Sequence, residues 1–207
     1  MTRGQIRWSR VSRIAVAALL LALLALGLER AEAELLTGLT STGNLVTFDS
    51  GTPATIGSSV AISGLLSTET LLGIDRRPAT GILYGLGSSS RLYTINTTTG
   101  LAAAVGGPFS PALSGTAFGF DFNPVPDRIR VVSTDTSNFR LNPNDGTVAG
   151  TDTVLSYVLG DSGAGLAPRV VGSAYTNNFN GTAVTTLFGI DSNRDVLVMQ
   201  GGPNGVP

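Results

Sequence analysis

The feature that most constrains the fold is an internal repeat with a period of about 46 residues. Each unit carries three landmarks in the order Asp, Asn and Gly. They are Asp75, Asn96 and Gly100 in one unit, and they recur with identical spacing as Asp121, Asn142 and Gly146 in the next. Repeats of about 40 to 50 residues, with three or four strands each, are typical of β-propeller blades.

Short apolar or alternating runs, bounded by Gly, Asn, Asp, Ser and Thr, predict strands throughout the chain, and helical periodicity is hard to find after position 33. The predicted strands cover residues 45–48, 71–75, 82–86, 91–95, 118–122, 128–132, 138–141, 154–158, 170–175, 185–190 and 196–199. The sequence therefore predicts an all-β chain.

Two partial copies flank the two full units. Residues 45–49 (LVTFD) match the end of segment 91–96, and FGID at 188–191 matches the start of a unit. The interval from Asp121 to Asp191 is much longer than that from Asp75 to Asp121, which predicts a long insertion within 160–181. We expect a propeller-like array of three- to four-stranded antiparallel blades. Since propellers close into a ring, the incomplete units predict a truncated chain, with a small open ring covered by another chain as the alternative.

The segment 1–33 has the three parts of a secretory signal peptide. Its basic head contains Arg3, Arg7, Arg10 and Arg13, residues 14–28 are uncharged and apolar, and Ala31-Glu32-Ala33 is a small-x-small cleavage site. A membrane anchor is less favoured, because a spanning helix needs about 20 apolar residues. The predicted organisation is a signal peptide at 1–33 and a repeat domain at 34–207, secreted or periplasmic.

Composition excludes several kinds of chemistry. The chain has no Cys and no His, which excludes disulfides, thiol chemistry, Ser-His-Asp catalysis and His-based metal sites. Residues 34–207 contain 8 Arg and 12 acidic residues, so their net charge is −4. This charge predicts no nucleic-acid partner and, after cleavage, no membrane partner. No cofactor is predicted.

The repeated Gly-apolar-Asp phrase has a structural interpretation. A glycine between two apolar residues permits close backbone approach in a packed strand, and the following Asp can accept backbone N–H groups at a turn. The alternative is a ring of carboxylates that holds a cation at one end of the channel, formed by Asp75, Asp121 and Asp191. Turn capping is the favoured interpretation.

The best candidate for a ligand site is a polar cluster in the second full unit. Pairs of polar residues alternate along three predicted strands, which places each pair on one face: Asp121 and Asn123, Arg128 and Arg130, Arg140 and Asn142. Three guanidinium groups on neighbouring strands could bind a carboxylate, a sulfate or a sugar acid. The favoured interpretation is nevertheless a structural ion-pair network with Asp121, Asp127 and Asp135, since such networks also fix the packing of blades.

Three further motifs are interpreted as turns and loops. DSNRD at 191–195 spaces oxygen ligands as in a calcium loop but has Val196 in place of the required Gly. NPNDG at 142–146 fits a turn, and GDSGAG at 160–165 lacks the Lys of a phosphate-binding loop. The segment around Tyr175, Asn177 and Asn178 is the predicted place for recognition by loops. No metal site is predicted.

Several segments, in order, resemble the bacterial secreted family known as domain of unknown function 4394, over roughly residues 35–207. They are LLGIDRRPATGILYGLG, GFDFNPVPDRIRVVS, FRLNPNDG, VVGSAYTNN and TTLFGIDSNRDVLV. The resemblance implies a propeller and export from the cell, and it implies no reaction. It also implies further repeats, which agrees with truncation.

The sequence favours a secreted, non-catalytic propeller-like module that binds a small-molecule or surface ligand, or acts as a scaffold. The alternative is a propeller hydrolase or lyase that uses carboxylates with a metal ion. A matrix or surface repeat is a third interpretation, consistent with low charge and abundant Thr, Ser, Gly and Asn.

Overall fold

The computed structural model describes residues 32–205, and the predicted signal peptide at 1–33 lies almost entirely outside this range. Fourteen strands in these residues form four antiparallel sheets. The first sheet contains β1 (Leu35–Leu39), β2 (Asn44–Asp49) and β3 (Ile56–Ala61). The second sheet contains β4 (Leu71–Arg76), β5 (Leu83–Gly87), β6 (Arg91–Ile95) and β7 (Ala102–Val105).

The third sheet contains β8 (Phe118–Asn123), β9 (Arg128–Ser133), β10 (Asn138–Leu141) and β11 (Val148–Thr151). The fourth sheet contains β12 (Val170–Tyr175), β13 (Leu187–Asp191) and β14 (Val196–Gln200), followed by a 3₁₀ turn at Pro203–Gly205. No helix in residues 32–205 has the length and apolar character needed to cross a membrane.

Each sheet is a meander in which consecutive strands are neighbours. The first strands of the second, third and fourth sheets also contact one another, because β8 packs against both β4 and β12. We call β4, β8 and β12 the inner strands. Four meanders side by side, three of which have contacting inner strands, give an all-β, propeller-like array, which confirms the predicted fold class.

The first sheet is built like the second sheet without its inner strand. Cross-strand pairs in the two hairpins correspond to one another. The pair Leu36–Phe48 of β1–β2 corresponds to Leu83–Ile95 of β5–β6, and Leu39–Leu45 corresponds to Leu86–Leu92. Thus β1 is the counterpart of β5, β2 of β6 and β3 of β7. Among the described residues, the first sheet has no counterpart of β4.

The fourth sheet corrects the predicted repeat. Gly172 of β12 pairs with Ile190 of the second strand, as Gly73 pairs with Leu86 of the second strand in its sheet. Since the repeat Asp lies two residues after this Gly, its counterpart in the fourth sheet is Ala174. Asp191 lies at the end of β13, the second strand of its sheet. The predicted equivalence of Asp191 with Asp75 was wrong, because LFGID resembles LYGLG of β5 as closely as it resembles an inner strand.

One predicted strand was wrong and four strands were not predicted. Residues 152–169 form a loop, in which Val154 and Val158 are 64% and 75% exposed, so the apolar run at 154–158 packs on no sheet. The strands β3, β7 and β11 consist mostly of small, exposed residues without apolar alternation, and β1 has no fully buried residue. Periodicity gives no signal for such strands.

The core lies between successive sheets. One cluster joins the second and third sheets and includes the fully buried Leu86, Phe122, Ile129 and Leu141. A smaller cluster around Leu45, Leu83, Tyr93 and Ile95 joins the first and second sheets. Because each sheet buries one face against the next, the inner strands are brought within hydrogen-bonding reach of one another.

Candidate functional site

Glycines in the repeated phrase allow the inner strands to approach one another. A Cβ atom on Gly73 would lie 3.0 Å from Cβ of Phe120 in the next inner strand. A Cβ atom on Gly119 would lie 2.9 Å from the carbonyl carbon of Gly172 and 2.3 Å from Oγ of Ser173. The predicted reason for these glycines, close backbone approach, is confirmed.

Each repeat Asp binds the next inner strand, and this contact was not predicted. The N–H of Phe122 donates to Oδ2 of Asp75 at 2.7 Å, and the N–H of Tyr175 donates to Oδ2 of Asp121 at 2.7 Å. In both cases the donor is the residue that follows the counterpart of that Asp. Capping of a local N–H group alone was therefore the wrong interpretation of Asp121. Asp75 does accept a local N–H group, that of Arg76, through its other oxygen, in addition to the contact with the next inner strand.

Asp75 and Asp121 also face each other. Burial raises the pKa of Asp121 to about 8, and the charge of Asp75 acts in the same direction. Burial raises the pKa of Asp75 as well, although the N–H groups of Phe122 and Arg76 oppose the shift. Two carboxyl groups in contact away from water do not both ionise at neutral pH. The pair holds one proton at pH 7, which we assign to Asp121.

Two of the three arginines predicted as an anion clamp lie in an ion-pair network around Asp152. Arg130, whose side chain is 12% exposed, donates to Asp152 at 2.5 Å and to Asn138 at 2.6 Å. Arg140 donates to the other oxygen of Asp152 at 2.8 Å. The hydroxyl of Tyr175 lies 3.4 Å from Nε of Arg130. This network joins β9, β10 and the loop after β11 to the inner strand β12.

The other residues of the predicted clamp stabilise turns. Asn123 accepts the N–H of Val125, and Asn142 accepts the N–H of Asn144. Arg128 donates to the carbonyl oxygen of Asp127 at 2.8 Å. Five of the six residues therefore lie on three neighbouring strands and Asn142 directly follows β10, but their side chains are directed to different partners. Anion binding at these residues stays a prediction.

Asp191 anchors the long loop that precedes β12. Its carboxylate accepts the hydroxyl of Tyr157 at 2.5 Å and the N–H groups of Arg169 and Asn193. Burial raises the pKa of Asp191, but these hydrogen bonds outweigh burial, so its pKa is lowered. Arg194 lies over the Tyr157 ring, 5.0 Å from the centroid. DSNRD is thus a hairpin turn, as favoured from the sequence.

Two depressions near the inner strands, of about 440 and 190 Å³, share Arg76 and Thr97. The larger is lined by the second sheet and its turns, and the smaller lies between the first and second sheets. We call the two together the Arg76 cleft. Most of its polar lining consists of hydroxyl and amide groups: Thr37, Thr47, Ser58, Thr94, Asn96 and Thr98.

Arg76 is available for a ligand. It is exposed, and it belongs to none of the ion pairs found within residues 32–205. Its guanidinium donates to the carbonyl oxygen of Gly81 at 3.0 Å and makes a long contact of 3.4 Å with Oγ1 of Thr37. Since a guanidinium has five N–H donors, most remain unused.

No sequence pattern singles out Asp152 as the centre of the network or Arg76 as an open cation, because both depend on sheet-to-sheet placement. In the part of the chain that is described, no three acidic side chains come close enough together to hold a metal ion.

Comparisons with known proteins identify a family. A sequence model described as "Domain of unknown function (DUF4394)" matches residues 44–206. No curated protein matches the sequence. Among solved structures, BBS1N in complex with ARL6DN is similar with a TM-score of 0.41 and 11% identity, over 82% of this chain and 51% of that chain. BamB from Moraxella catarrhalis is similar with a TM-score of 0.36 and 12% identity, over 82% and 49%.

The chain thus spans about half the length of these two solved structures. Its propeller-like fold is shown by its own sheet topology.

Proposed function

The chain belongs to the family of domain of unknown function DUF4394, and we propose that it is a secreted or periplasmic, non-catalytic binding module on a propeller-like scaffold. The signal-peptide pattern of residues 1–33 supports export. The ligand is a small-molecule or surface component that bears a carboxylate and occupies the Arg76 cleft. Nucleic acid and membrane are not proposed as partners.

The main support for this proposal is that most charged side chains in the sheets already have partners within the fold. Asp75 and Asp121 each accept a main-chain N–H group, and Asp191 accepts two N–H groups and a hydroxyl. Arg130 and Arg140 share Asp152, and Arg77 is paired with Asp127. These groups hold strands and loops together, and Arg76 is left as the exposed cation of the cleft.

The chemistry of the cleft indicates the ligand class. A guanidinium with free donors binds carboxylates through charge-assisted hydrogen bonds, and it recognises their planar geometry. The surrounding hydroxyl and amide groups donate or accept neutral hydrogen bonds, which suits a ligand with its own polar groups. A concave surface with a few convergent polar groups is the usual form of a binding site.

We expect succinate, used as a small dicarboxylate probe, to bind in the cleft with a dissociation constant in the millimolar range, or about −4 kcal/mol. In an NMR titration of the full chain, the amide signals of Arg76 and Thr97 should shift and saturate. Arg76→Gln should weaken binding about tenfold, whereas Arg91→Gln, which removes the same charge outside the cleft, should not. Equal binding by both variants would contradict the proposal.

A hydrolase or lyase that uses carboxylates with a metal ion is the second candidate, and one observation favours it. Paired carboxyl groups with a pKa as high as that of Asp121 are frequent in active sites. Against it, neither Asp75 nor Asp121 lines the Arg76 cleft. A rise in melting temperature on addition of Mg²⁺ or Ca²⁺ that disappears in Asp75→Asn would favour the enzyme.

A further inference from the structure

Among residues 32–205, no strand pairs with the edge of β1 that faces away from β2. The N–H of Thr40 donates to the carbonyl oxygen of Asn44, and the N–H of Ser50 donates to the carbonyl oxygen of Glu34. The main-chain groups of Glu34 and Thr40 therefore face β2. Because this pattern alternates along an antiparallel strand, the main-chain groups of Leu35, Thr37 and Leu39 point away from β2. No described strand pairs with them.

The second sheet shows what covers the same edge. There β4 pairs with β5, the counterpart of β1, with Gly73 opposite Leu86 and Asp75 opposite Tyr84. Leu83 is 3% exposed in the cluster that joins the first and second sheets, and Leu71 and Ile74 of β4 pack against that cluster. Its counterpart Leu36 is 39% exposed and the adjacent Leu35 is 75% exposed. The first sheet therefore presents the main-chain groups of a site for one more strand, beside exposed apolar side chains.

The main-chain N–H of Arg76 marks where the acidic group of that strand belongs. Asp75 accepts the N–H of Phe122, and Asp121 accepts the N–H of Tyr175. By the same relation, an Asp on a strand beside β1 would accept the N–H of Arg76. In the structure this N–H instead donates to Oδ1 of its own neighbour, Asp75, at 2.7 Å.

We infer that the open edge of β1 binds an extended segment of a partner polypeptide with the pattern apolar-apolar-Gly-apolar-Asp. The segment adds antiparallel to β1, with its Gly opposite Leu39 and its Asp opposite Thr37. Its Asp accepts the N–H of Arg76 and lies beside the exposed guanidinium of the same residue, most of whose donors are unused. Edge-strand addition gives affinity through main-chain hydrogen bonds and specificity through alternate side chains.

This inference rests on the proposed function, because it names the carboxylate-bearing ligand of the Arg76 cleft as a peptide. The Gly is needed for the same reason as Gly73 and Gly119, since an added Cβ at either position would meet the neighbouring inner strand. The Asp is needed because Arg76 is the cationic group at this edge. A peptide that lacks either residue should bind less tightly.

The test uses the full chain and a fluorescently labelled synthetic peptide with the sequence ETLLGIDRR, which copies residues 69–77. Binding is measured by fluorescence anisotropy. The native peptide should bind, and Asp→Asn or Gly→Val in the peptide should weaken binding about tenfold or more. Because these changes are in the peptide, the fold of the protein is unaffected.

Alternate N-methylation of the peptide tests the strand geometry. In the second sheet the N–H of Arg77 faces β5, so the N–H groups of Asp75 and Gly73 face it as well. Methylation of the peptide N–H at the Asp position should abolish binding, and methylation at the preceding Ile should leave it within about threefold. Equal effects at the two positions, or no binding of the native peptide, would overturn the inference.

Two further outcomes separate this inference from the proposed function. If succinate binds at Arg76 but the peptide does not, the partner is no extended peptide, and only the inference fails. If neither binds, the proposed function fails as well. A dimer of the chain that dissociates on Thr37→Pro and ignores the peptide would show that a second copy occupies the edge, and would also overturn the inference.

Discussion

Asp121→Asn is expected to remove most of a fall in stability between pH 5 and pH 8 that the wild-type protein shows. The folded protein keeps the proton of Asp121 up to about pH 8, whereas an unfolded Asp releases it near pH 3.9. The native state therefore binds one more proton in this window, and stability decreases as pH rises, by about 1.4 kcal/mol per pH unit. Above the folded pKa the loss is complete.

Asn at position 121 reproduces the protonated carboxyl group without a titration. Its carbonyl oxygen can accept the N–H of Tyr175, and its amide can donate to Asp75. Urea unfolding at several pH values should give a much shallower profile for this variant than for wild type from pH 5 to pH 8, and higher stability than wild type at pH 8. The remaining slope comes from Asp75, whose pKa is also raised by burial. Glu69 and Asp191 have lowered pKa values, so their contribution is lost only at lower pH.

Asp195→Asn is the matched control for this experiment. Asp195 is exposed and has a positive φ of 53°, which Asn also adopts readily. The control removes the same charge and should keep the slope of the wild-type profile. If Asp121→Asn kept the wild-type slope of stability against pH, the carboxyl group of Asp121 would be ionised at neutral pH. That result would contradict the proton assigned to it.

Gly119→Ala is expected to destabilise the protein by about 3 kcal/mol, which is at the upper end for one added methyl group. The new Cβ would lie 2.7 Å from Cγ2 of Val132 and 2.9 Å from the carbonyl carbon of Gly172. Side chains can move aside, but the main chain of β12 can shift only by separating the third and fourth sheets. Urea unfolding should show a midpoint lower by about 1 to 2 M.

Gly107→Ala is the comparison for the glycine variant. A Cβ atom at Gly107 would have no atom within 4 Å, so this change should alter the free energy of unfolding by less than about 1 kcal/mol. A Gly119→Ala protein as stable as the Gly107→Ala protein would show that β8 and β12 do not approach as closely as described.

Much of the fold could be predicted because the inner and middle strands carry strong patterns. The runs at 91–95, 138–141 and 170–175 were predicted with the boundaries that the structure has. The role of the repeat Gly could also be predicted, because a Gly within an apolar strand indicates close approach of another main chain. Export, by contrast, stays a prediction from residues 1–33.

The rest depends on contacts that are remote in the sequence. Asp75 reaches Phe122, 47 residues away, and Asp121 reaches Tyr175, 54 residues away. The spacing of the repeat reveals that these positions are equivalent, but it does not show that each Asp bonds to the following unit. Similarly, LFGID at 187–191 matched an inner strand by residue type, and only its pairing with β12 placed it in the second position.

Amide hydrogen exchange of the wild-type chain tests most directly whether the repeat carboxylates bond successive inner strands. The N–H groups of Phe122 and Tyr175 face away from the paired strands of their own sheets, yet we predict slow exchange because Asp75 and Asp121 accept them. Thr37 and Leu39, on the open edge of β1, should exchange quickly in the same sample. Exchange of Phe122 and Tyr175 as fast as that of Thr37 would contradict the account.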